Sequence, residues 1–228
     1  MPISLDGPRI EPHSGRPARQ LVVFVHGYGA DGNDLIDIGR AWQILLPEAA
    51  FVSPHAPEPC AQASIGRQWF ALSERDLAER WRGINVAAPI LEAFIDTELA
   101  RRDLPPSALA LVGFSQGAMM ALHIGLRRAV APAAIVGYSG MLVLSADADA
   151  KATATAARSK PPVLLVHGDQ DELIPAAALF HAAQELAALG VPAEWHLSQG
   201  LGHGIDDEGL RHGGEFLARR FGAQRPRP

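Results

Sequence analysis

Short apolar runs alternate with amphipathic stretches along almost the whole chain, and this pattern limits the possible folds most. The runs at 21–27, 107–114 and 133–140 have the length of strands, whereas 33–47 and 176–190 carry apolar residues at helical spacing. Continuous apolar runs are typical of parallel strands that are buried on both faces. The alternation therefore predicts a three-layer α/β sandwich with a mostly parallel central sheet and right-handed crossovers.

The remaining elements follow from the same patterns. A long amphipathic stretch at 85–103 predicts a helix with a start or a kink near Pro89. The Ala-rich segment 145–160 has little apolar periodicity and predicts an exposed loop or a frayed helical turn. Further strands are predicted at 49–54, 162–168 and 193–198, further helices at 115–130 and about 206–221, and a short edge strand near "ISLDG".

Length and composition favour one globular domain. The chain has 228 residues, of which 48% are hydrophobic and 20% are charged, so it has ample material for a single core. We expect one domain over 1–228, with 1–18 as a loosely ordered lead-in or edge strand and 222–228 as a tail.

Charge, cysteine content and hydropathy exclude several classes of function. The formal net charge is −5 without a run of like charges, which argues against nucleic acid as a partner. Cys60 is the only cysteine, so an intrachain disulfide is impossible and any metal site would need histidines and carboxylates. The first 20 residues lack a signal-peptide pattern and no apolar stretch is long enough to span a bilayer. We therefore expect a cytoplasmic protein without stable membrane insertion.

The stretch "GFSQG" places Ser115 between Gly113 and Gly117, directly after an apolar run and before a helical pattern. Strand, sharp turn and helix in this order are the context of a nucleophile elbow, in which the turn exposes a serine hydroxyl. A chance match in a glycine-containing chain is the alternative, but the flanking elements favour the elbow. Ser115 is thus the predicted nucleophile.

A serine nucleophile needs a base and an acid that orients the base. "HGDQDELIP" follows one predicted strand and "SQGLGHGID" follows the next, so Asp171 and His203 fall at the carboxyl ends of the strands in the order Ser, Asp, His. Glycines surround His203, whereas the other late histidines lie within predicted helices or strands. Asp169 shares the loop with Asp171, and we expect it to shape the turn instead.

Acyl transfer also needs hydrogen-bond donors for the oxyanion. The backbone N–H groups of Tyr28, in the Gly-rich loop "HGYGADGND", and of Gln116, after the nucleophile, are the predicted donors. A simple glycine turn is the alternative for this loop. His26 is expected to support the loop rather than to transfer a proton.

Five ordered motifs carry a resemblance: "HGYGADGND", "GRQWFAL", "GFSQGAMMA", "HGDQDELIP" and "LGHGID". Together they resemble the small bacterial carboxylesterases of the phospholipase/carboxylesterase family, which is similar to acyl-protein thioesterases. The resemblance spans about 18–221. It implies a minimal α/β-hydrolase without a large lid, and the same triad and oxyanion donors.

The chain departs from the family pattern at two places. Members often have Leu at the position of Tyr28, so the acyl pocket is expected to differ in shape while the amide keeps its role. The segment 61–83 matches only around "GRQWF". Trp69 is a candidate for lining the acyl groove, with a buried, loop-anchoring tryptophan as the alternative.

The resulting hypothesis is hydrolysis of carboxylic esters, including thioesters or lysophospholipids, through an acyl-serine intermediate without cofactor or metal. The expected partner is a small-molecule ester or acyl substrate, and a homodimer is left open. Two alternatives remain: an acyltransferase or perhydrolase with the same triad, and a non-catalytic ligand-binding module on the same scaffold.

Overall fold

A computed structural model describes residues 4–62, 65–73, 76–145 and 157–223. Its main sheet has seven strands in the order β1-β3-β2-β6-β7-β8-β9, all parallel except for the antiparallel edge strand β1. The predicted mostly parallel α/β sheet is thereby confirmed. The strands of this sheet are β1 (Arg9–Ile10), β2 (Gln20–Val25), β3 (Ala49–Val52), β6 (Leu109–Phe114), β7 (Ala134–Tyr138), β8 (Val163–Gly168) and β9 (Ala193–Ser198).

Helices cover both faces of this sheet. Apolar residues of α2, α3 and α4 share one buried cluster with one side of the strands, and residues of α1 and α5 share a second cluster with the other side. The three-layer arrangement follows from strands that are apolar on both faces. The α-helices of the described residues are α1 (Gly32–Trp42), α2 (Leu77–Arg101), α3 (Gln116–Arg127), α4 (Ala177–Ala188) and α5 (Asp207–Ala223).

The edge strand lies later than predicted. Instead of forming near "ISLDG", regular pairing is limited to Arg9 and Ile10, which lie opposite Val52 and Phe51. The preceding residues still bond across the edge, since His55 donates its N–H to the carbonyl of Asp6. Between the two stretches, Ser53 donates its N–H to the carbonyl of Pro8, which has no N–H of its own to return a bond.

Helix α2 begins eight residues before the predicted start at 85 and continues past Pro89 to Arg101. Asp76 caps it, because its carboxylate accepts the N–H of Glu79. A proline in a helix interior costs about 3 kcal/mol, and burial of apolar residues on both sides of Pro89 offsets that cost. Of the two predicted alternatives near Pro89, a start or a kink, the helix start was therefore wrong.

Other boundaries differ less. Helix α1 ends at Trp42 instead of reaching 47, and β9 has the predicted bounds. A small antiparallel pair, β4 (Glu58–Pro59) with β5 (Arg67–Gln68), was not predicted. Most of the predicted loop at 145–160 lies outside the described residues. Within the described part of the chain, no helix is long and apolar enough to cross a membrane.

Candidate active site

Ser115 occupies a strained turn between β6 and α3. Its backbone has φ 53° and ψ −115°, which is rare for a residue with a side chain and usually marks a functional site. The N–H of Ser115 donates to the carbonyl of Tyr138 at 2.9 Å, so the neighbouring strand β7 holds the turn. This is the geometry that the elbow interpretation of "GFSQG" predicts.

The two glycines of the motif are required by close packing. A Cβ atom on Gly113 would lie 2.3 Å from the carbonyl oxygen of Gly117. A Cβ atom on Gly117 would lie 1.8 Å from the carbonyl oxygen of Val25 on β2. Since neither distance leaves room for a methyl group, glycine at both positions lets α3 start directly above the sheet.

Asp171 and His203 meet where the sequence analysis expects them, beyond the ends of β8 and β9. Nδ1 of His203 lies 2.7 Å from Oδ2 of Asp171, whose side chain is fully buried. A carboxylate only accepts hydrogen bonds, so Nδ1 carries a proton, and in the neutral imidazole the lone pair is then on Nε2. The ring of Phe114 lies against His203 with 5.0 Å between centroids. The imidazole is thus held in the tautomer that a general base requires.

Further hydrogen bonds keep Asp171 ionised. Burial would raise its pKa, but the N–H groups of Ile174 and Leu173 donate to Oδ1, each at 2.9 Å, and His203 donates to Oδ2. Together these bonds hold the pKa of Asp171 below its ordinary value. The carboxylate therefore remains charged beside His203 at neutral pH.

His167 is a neighbour of Asp171 that sequence reasoning missed. Its side chain is buried, and Nε2 lies 2.8 Å from the carbonyl of Ile174 and 3.2 Å from Oδ2 of Asp171. Both neighbouring oxygens are acceptors, so Nε2 carries a proton, which it donates to the carbonyl of Ile174 while Oδ2 of Asp171 lies beside it. The signal in the sequence was the spacing of four between His167 and Asp171, within "HGDQD".

Asp169 has a different role from Asp171. Its Oδ1 accepts the N–H of Gly200 at 2.7 Å, and its own N–H donates to the carbonyl of Ser198. These contacts fasten the loop that leads to His203 onto the end of β8. Asp206 caps α5, because its Oδ1 accepts the N–H of Gly209.

The loop after β2 is held by His26 and by β5. Nε2 of the buried His26 accepts the N–H of Ala56 at 3.0 Å, so Nδ1 carries the proton and donates to the carbonyl of Gly27 at 2.8 Å. Burial lowers the pKa of His26 to about 4, which keeps it neutral. The N–H of Gly29 donates to the carbonyl of Arg67. These contacts fix the loop that carries Tyr28.

The side chain of Gln116 connects this region to "GRQWF". Its amide accepts the N–H of Trp69 at 2.9 Å and donates to the carbonyl of Phe70 at 2.8 Å. The indole of Trp69 donates to the carbonyl of His26 at 3.0 Å, and the residue is only 1% exposed. We therefore favour the loop-anchoring interpretation of Trp69 over the groove-lining one.

A cavity of about 210 Å³ joins the predicted residues. Ser115 and His203 line it together with the two predicted oxyanion donors, Tyr28 and Gln116. Gln116 is the first residue of α3, so its N–H has no acceptor within the helix. Trp69 is not among the described residues that line the cavity. The rest of the described wall consists of Gln62, Leu72, Arg80, Phe114, Met119, Leu173 and Ile174.

Comparisons with known proteins identify relatives of this chain. The sequence profile of the phospholipase/carboxylesterase family matches residues 6–220. The esterase YpfH of Escherichia coli K12 is 30% identical over 199 residues, 86% of this chain and 81% of that protein. The acyl-protein thioesterase 1 of Gibberella zeae is 28% identical over 212 residues, 88% of this chain and 90% of that protein. The crystal structure of esterase PE8 superposes with a TM-score of 0.89 at 42% identity, covering 95% of this chain and 99% of that one.

Proposed function

This chain belongs to the phospholipase/carboxylesterase family and is a carboxylic ester hydrolase of the α/β-hydrolase fold, and we propose that Ser115, Asp171 and His203 are its catalytic triad. One observation carries the assignment. The strained Ser115 lines the same cavity as His203, whose Nδ1 lies 2.7 Å from the buried carboxylate of Asp171. A nucleophile and a base thereby border one space that a substrate can enter, and the orienting acid lies buried behind the base.

The proposed reaction has two halves. In the first, Oγ of Ser115 attacks the carbonyl carbon of the ester while Nε2 of His203 accepts the hydroxyl proton. His203 then gives this proton to the leaving oxygen, the C–O bond breaks and an acyl-serine forms. In the second half, His203 takes a proton from water, the hydroxide oxygen attacks the acyl carbon, and Ser115 leaves with the proton returned. Asp171 stays ionised and stabilises the imidazolium in both halves.

The N–H groups of Tyr28 and Gln116 are the proposed oxyanion donors. Both residues border the cavity beside Ser115. Donors that are fixed before the reaction stabilise the developing charge without reorganisation, and losing one typically costs about a hundredfold in kcat or more. The hydrogen bonds around His26 and Trp69 support this role, because they hold the loop of Tyr28 against the start of α3.

The cavity wall indicates the substrate class. Five of the eleven described wall residues have apolar side chains, and such a surface favours an acyl chain. Arg80 is the cation among the described wall residues, and its buried Nε has no hydrogen-bond partner within the described part of the chain. A phosphate in the leaving group, as in a lysophospholipid or an acyl-CoA, would supply that partner. We therefore include phosphate-bearing esters and thioesters among the proposed substrates.

The proposed function is tested by product analysis on a substrate panel. The panel contains p-nitrophenyl esters of rising chain length, an acyl-CoA and a lysophospholipid, each with the free carboxylic acid measured as product. Stoichiometric release of acid is expected. Transfer of the acyl group to an added alcohol or to hydrogen peroxide in preference to water would instead identify an acyltransferase or a perhydrolase.

The substitution Arg80→Gln is expected to affect the hydrolysis of phosphate-bearing substrates but not that of neutral esters. We expect kcat/KM to fall about tenfold on the lysophospholipid or the acyl-CoA, which corresponds to about 1.4 kcal/mol, and to stay unchanged on the p-nitrophenyl esters. Arg40→Gln on α1 is the matched control, since it removes the same charge from the opposite layer. An equal loss on all substrates would remove the proposed role of Arg80.

The state of the single cysteine supports a proposal for the cellular compartment. Cys60 is buried and unbridged, and it is the only cysteine of the sequence. An unbridged thiol suits a reducing compartment, so we propose that the protein acts in the cytoplasm.

A further inference from the structure

Two histidines and a glutamate outside the cavity form a compact cluster. His196 lies on β9, and Glu208 and His212 lie one turn apart on α5. One ligand atom from each residue lies within 4.8 Å of the others. From this arrangement we infer that His196, Glu208 and His212 form a binding site for a divalent transition-metal ion such as Zn²⁺. The site is additional to the proposed catalytic machinery, which uses no metal.

The distances suit a small ion. Nε2 of His196 lies 3.9 Å from Oε2 of Glu208, and Nε2 of His212 lies 3.6 Å from Oε1. Around a tetrahedral zinc ion with ligand bonds of about 2.1 Å, neighbouring ligand atoms are about 3.4 Å apart. Both observed separations, which end on the two oxygens of one carboxylate, are within about half an ångström of this spacing.

The arrangement of the two imidazole rings and the unpartnered Nε2 of His196 favour a bound ion. The imidazole rings of His196 and His212 lie 4.4 Å apart between centroids at an angle of 42°. Nε2 of His196 is buried, yet it has no hydrogen-bond partner among the described residues. An unpartnered polar atom in this position is costly, and a bound cation would satisfy it.

Arg211 is the cation that already approaches the cluster. One of its Nη atoms lies 3.4 Å from Nε2 of His212 and 3.7 Å from Oε1 of Glu208. A guanidinium has no acceptor, so the contact with His212 needs the Nε2 lone pair, which is the form that binds metals. The other Nη atom bonds both carboxylate oxygens of Glu215 at 3.2 Å. Arg211 can therefore turn fully to Glu215 when an ion enters.

The ligand types select the class of metal. Two imidazoles and one carboxylate are typical of zinc and related transition metals, whereas Mg²⁺ and Ca²⁺ prefer sets composed of oxygen. The side chain of Glu208 is more than half exposed, so water can complete the coordination sphere. Residues four apart on a helix share one face, so the side chains of Glu208 and His212 can bind the same ion.

The position of the cluster gives a bound ion a structural effect. His196 precedes, and Glu208 and His212 follow, the segment 199–206 that contains His203. An ion would join β9 to α5 at the base of this segment and restrict its opening. We expect amide hydrogen exchange in 199–206 to slow when the metal binds.

The test is a thermal unfolding series with ZnCl₂ on the full chain, with MgCl₂ for comparison. Zinc at about a hundred times its Kd is expected to raise Tm by about 5 °C or more, and magnesium to leave it unchanged. Calorimetric titration is expected to give one Zn²⁺ per chain. His212→Ala and, independently, the more conservative Glu208→Gln should each abolish most of the shift.

Control variants separate this site from other histidines. His181→Gln removes an exposed histidine on α4 and should keep the zinc shift. Ser115→Ala should also keep it, because metal binding does not depend on turnover. A shift that persists in both His212→Ala and Glu208→Gln, a shift lost in His203→Gln instead, or no zinc-dependent shift in the wild type would overturn the proposal.

Discussion

Two carboxylates of one short loop have different partners. Asp171 contacts the imidazole of His203, whereas Asp169 accepts the N–H of Gly200 at the start of the same histidine-bearing segment. One side chain therefore orients the proposed base directly, and the other holds the backbone on which that base is carried. Substituting each aspartate in turn therefore measures separately how much activity depends on the orientation of His203 and on the support of its loop.

Asp171→Asn is expected to lower kcat by three to four powers of ten while KM changes little. The amide cannot accept the Nδ1–H of His203 as the carboxylate does, and such a change in a triad acid costs roughly 10⁴ in kcat. Steady-state kinetics on a short p-nitrophenyl ester, normalised to titrated active sites, measure the loss.

Asp169→Asn is the matched control. It should cost on the order of 1 kcal/mol of unfolding free energy through a weaker bond to Gly200, with a much smaller effect on kcat. If Asp169→Asn lost more kcat per folded site than Asp171→Asn, the triad acid would be Asp169.

Tyr28 lines the cavity, and its amide is one of the two proposed oxyanion donors. Tyr28→Leu is therefore expected to shift the preferred chain length while most activity on the shortest ester remains. The ratio of kcat/KM between a short and a long p-nitrophenyl ester measures the shift. A loss of more than about a hundredfold on the shortest ester would show that the phenol itself acts in catalysis.

At the scale of elements, the contact between α2 and α3 contains a buried histidine. His123 is 3% exposed, its ring meets Trp81 edge to face, and its Nδ1 has no hydrogen-bond partner among the described residues. Burial, with a smaller contribution from the charge of Arg127, lowers the pKa of His123 to about 3. The folded protein therefore keeps this imidazole neutral at pH values where the unfolded chain protonates it.

This histidine makes stability depend on pH. Between about pH 6.5 and pH 3 the unfolded state binds a proton at His123 that the folded state does not, so stability is lost as the pH falls through this window. At pH 5 the loss from this group is about 2 kcal/mol relative to pH 7.5. Urea unfolding at both pH values measures it.

His123→Leu should reduce the acid-induced loss of stability by about this amount. His181→Gln, at an exposed position on α4, should leave the pH dependence as in the wild type. An unchanged pH dependence in His123→Leu would mean that the histidine is not held neutral in the folded protein.

The element boundaries illustrate what local sequence can predict. The inner strands β2, β3, β6, β7 and β8 could be predicted because each is a largely continuous apolar run. The edge strand β9 has its predicted bounds although it is partly polar, whereas β1 at the other edge lies later than predicted. The bounds of helix α2 could not be predicted in this way. Local rules predict a start or a kink near Pro89, whereas the buried apolar residues around it stabilise a continuous helix. The pair β4 and β5 has only two residues in each strand and depends on contacts with the loop after β2.

At the scale of the whole molecule, the candidate site was predictable where it follows strand order. Ser115, Asp171 and His203 come after β6, β8 and β9, and parallel strands bring their carboxyl ends to one edge of the sheet. Hydrogen bonds between segments that are distant in the sequence could not be predicted from strand order. The bond from Gln116 to Trp69 joins residues 47 positions apart, and only the folded chain brings them together.

The central claim is that Ser115 forms the covalent acyl intermediate, and labelling with a fluorophosphonate tests it most directly. Intact mass spectrometry of the labelled protein should show one adduct per chain, and peptide mapping should place it on Ser115. Ser115→Ala should take up no label and lose ester hydrolysis, while its thermal unfolding stays close to that of the wild type. An adduct on another serine, or labelling that survives in Ser115→Ala, would contradict the account.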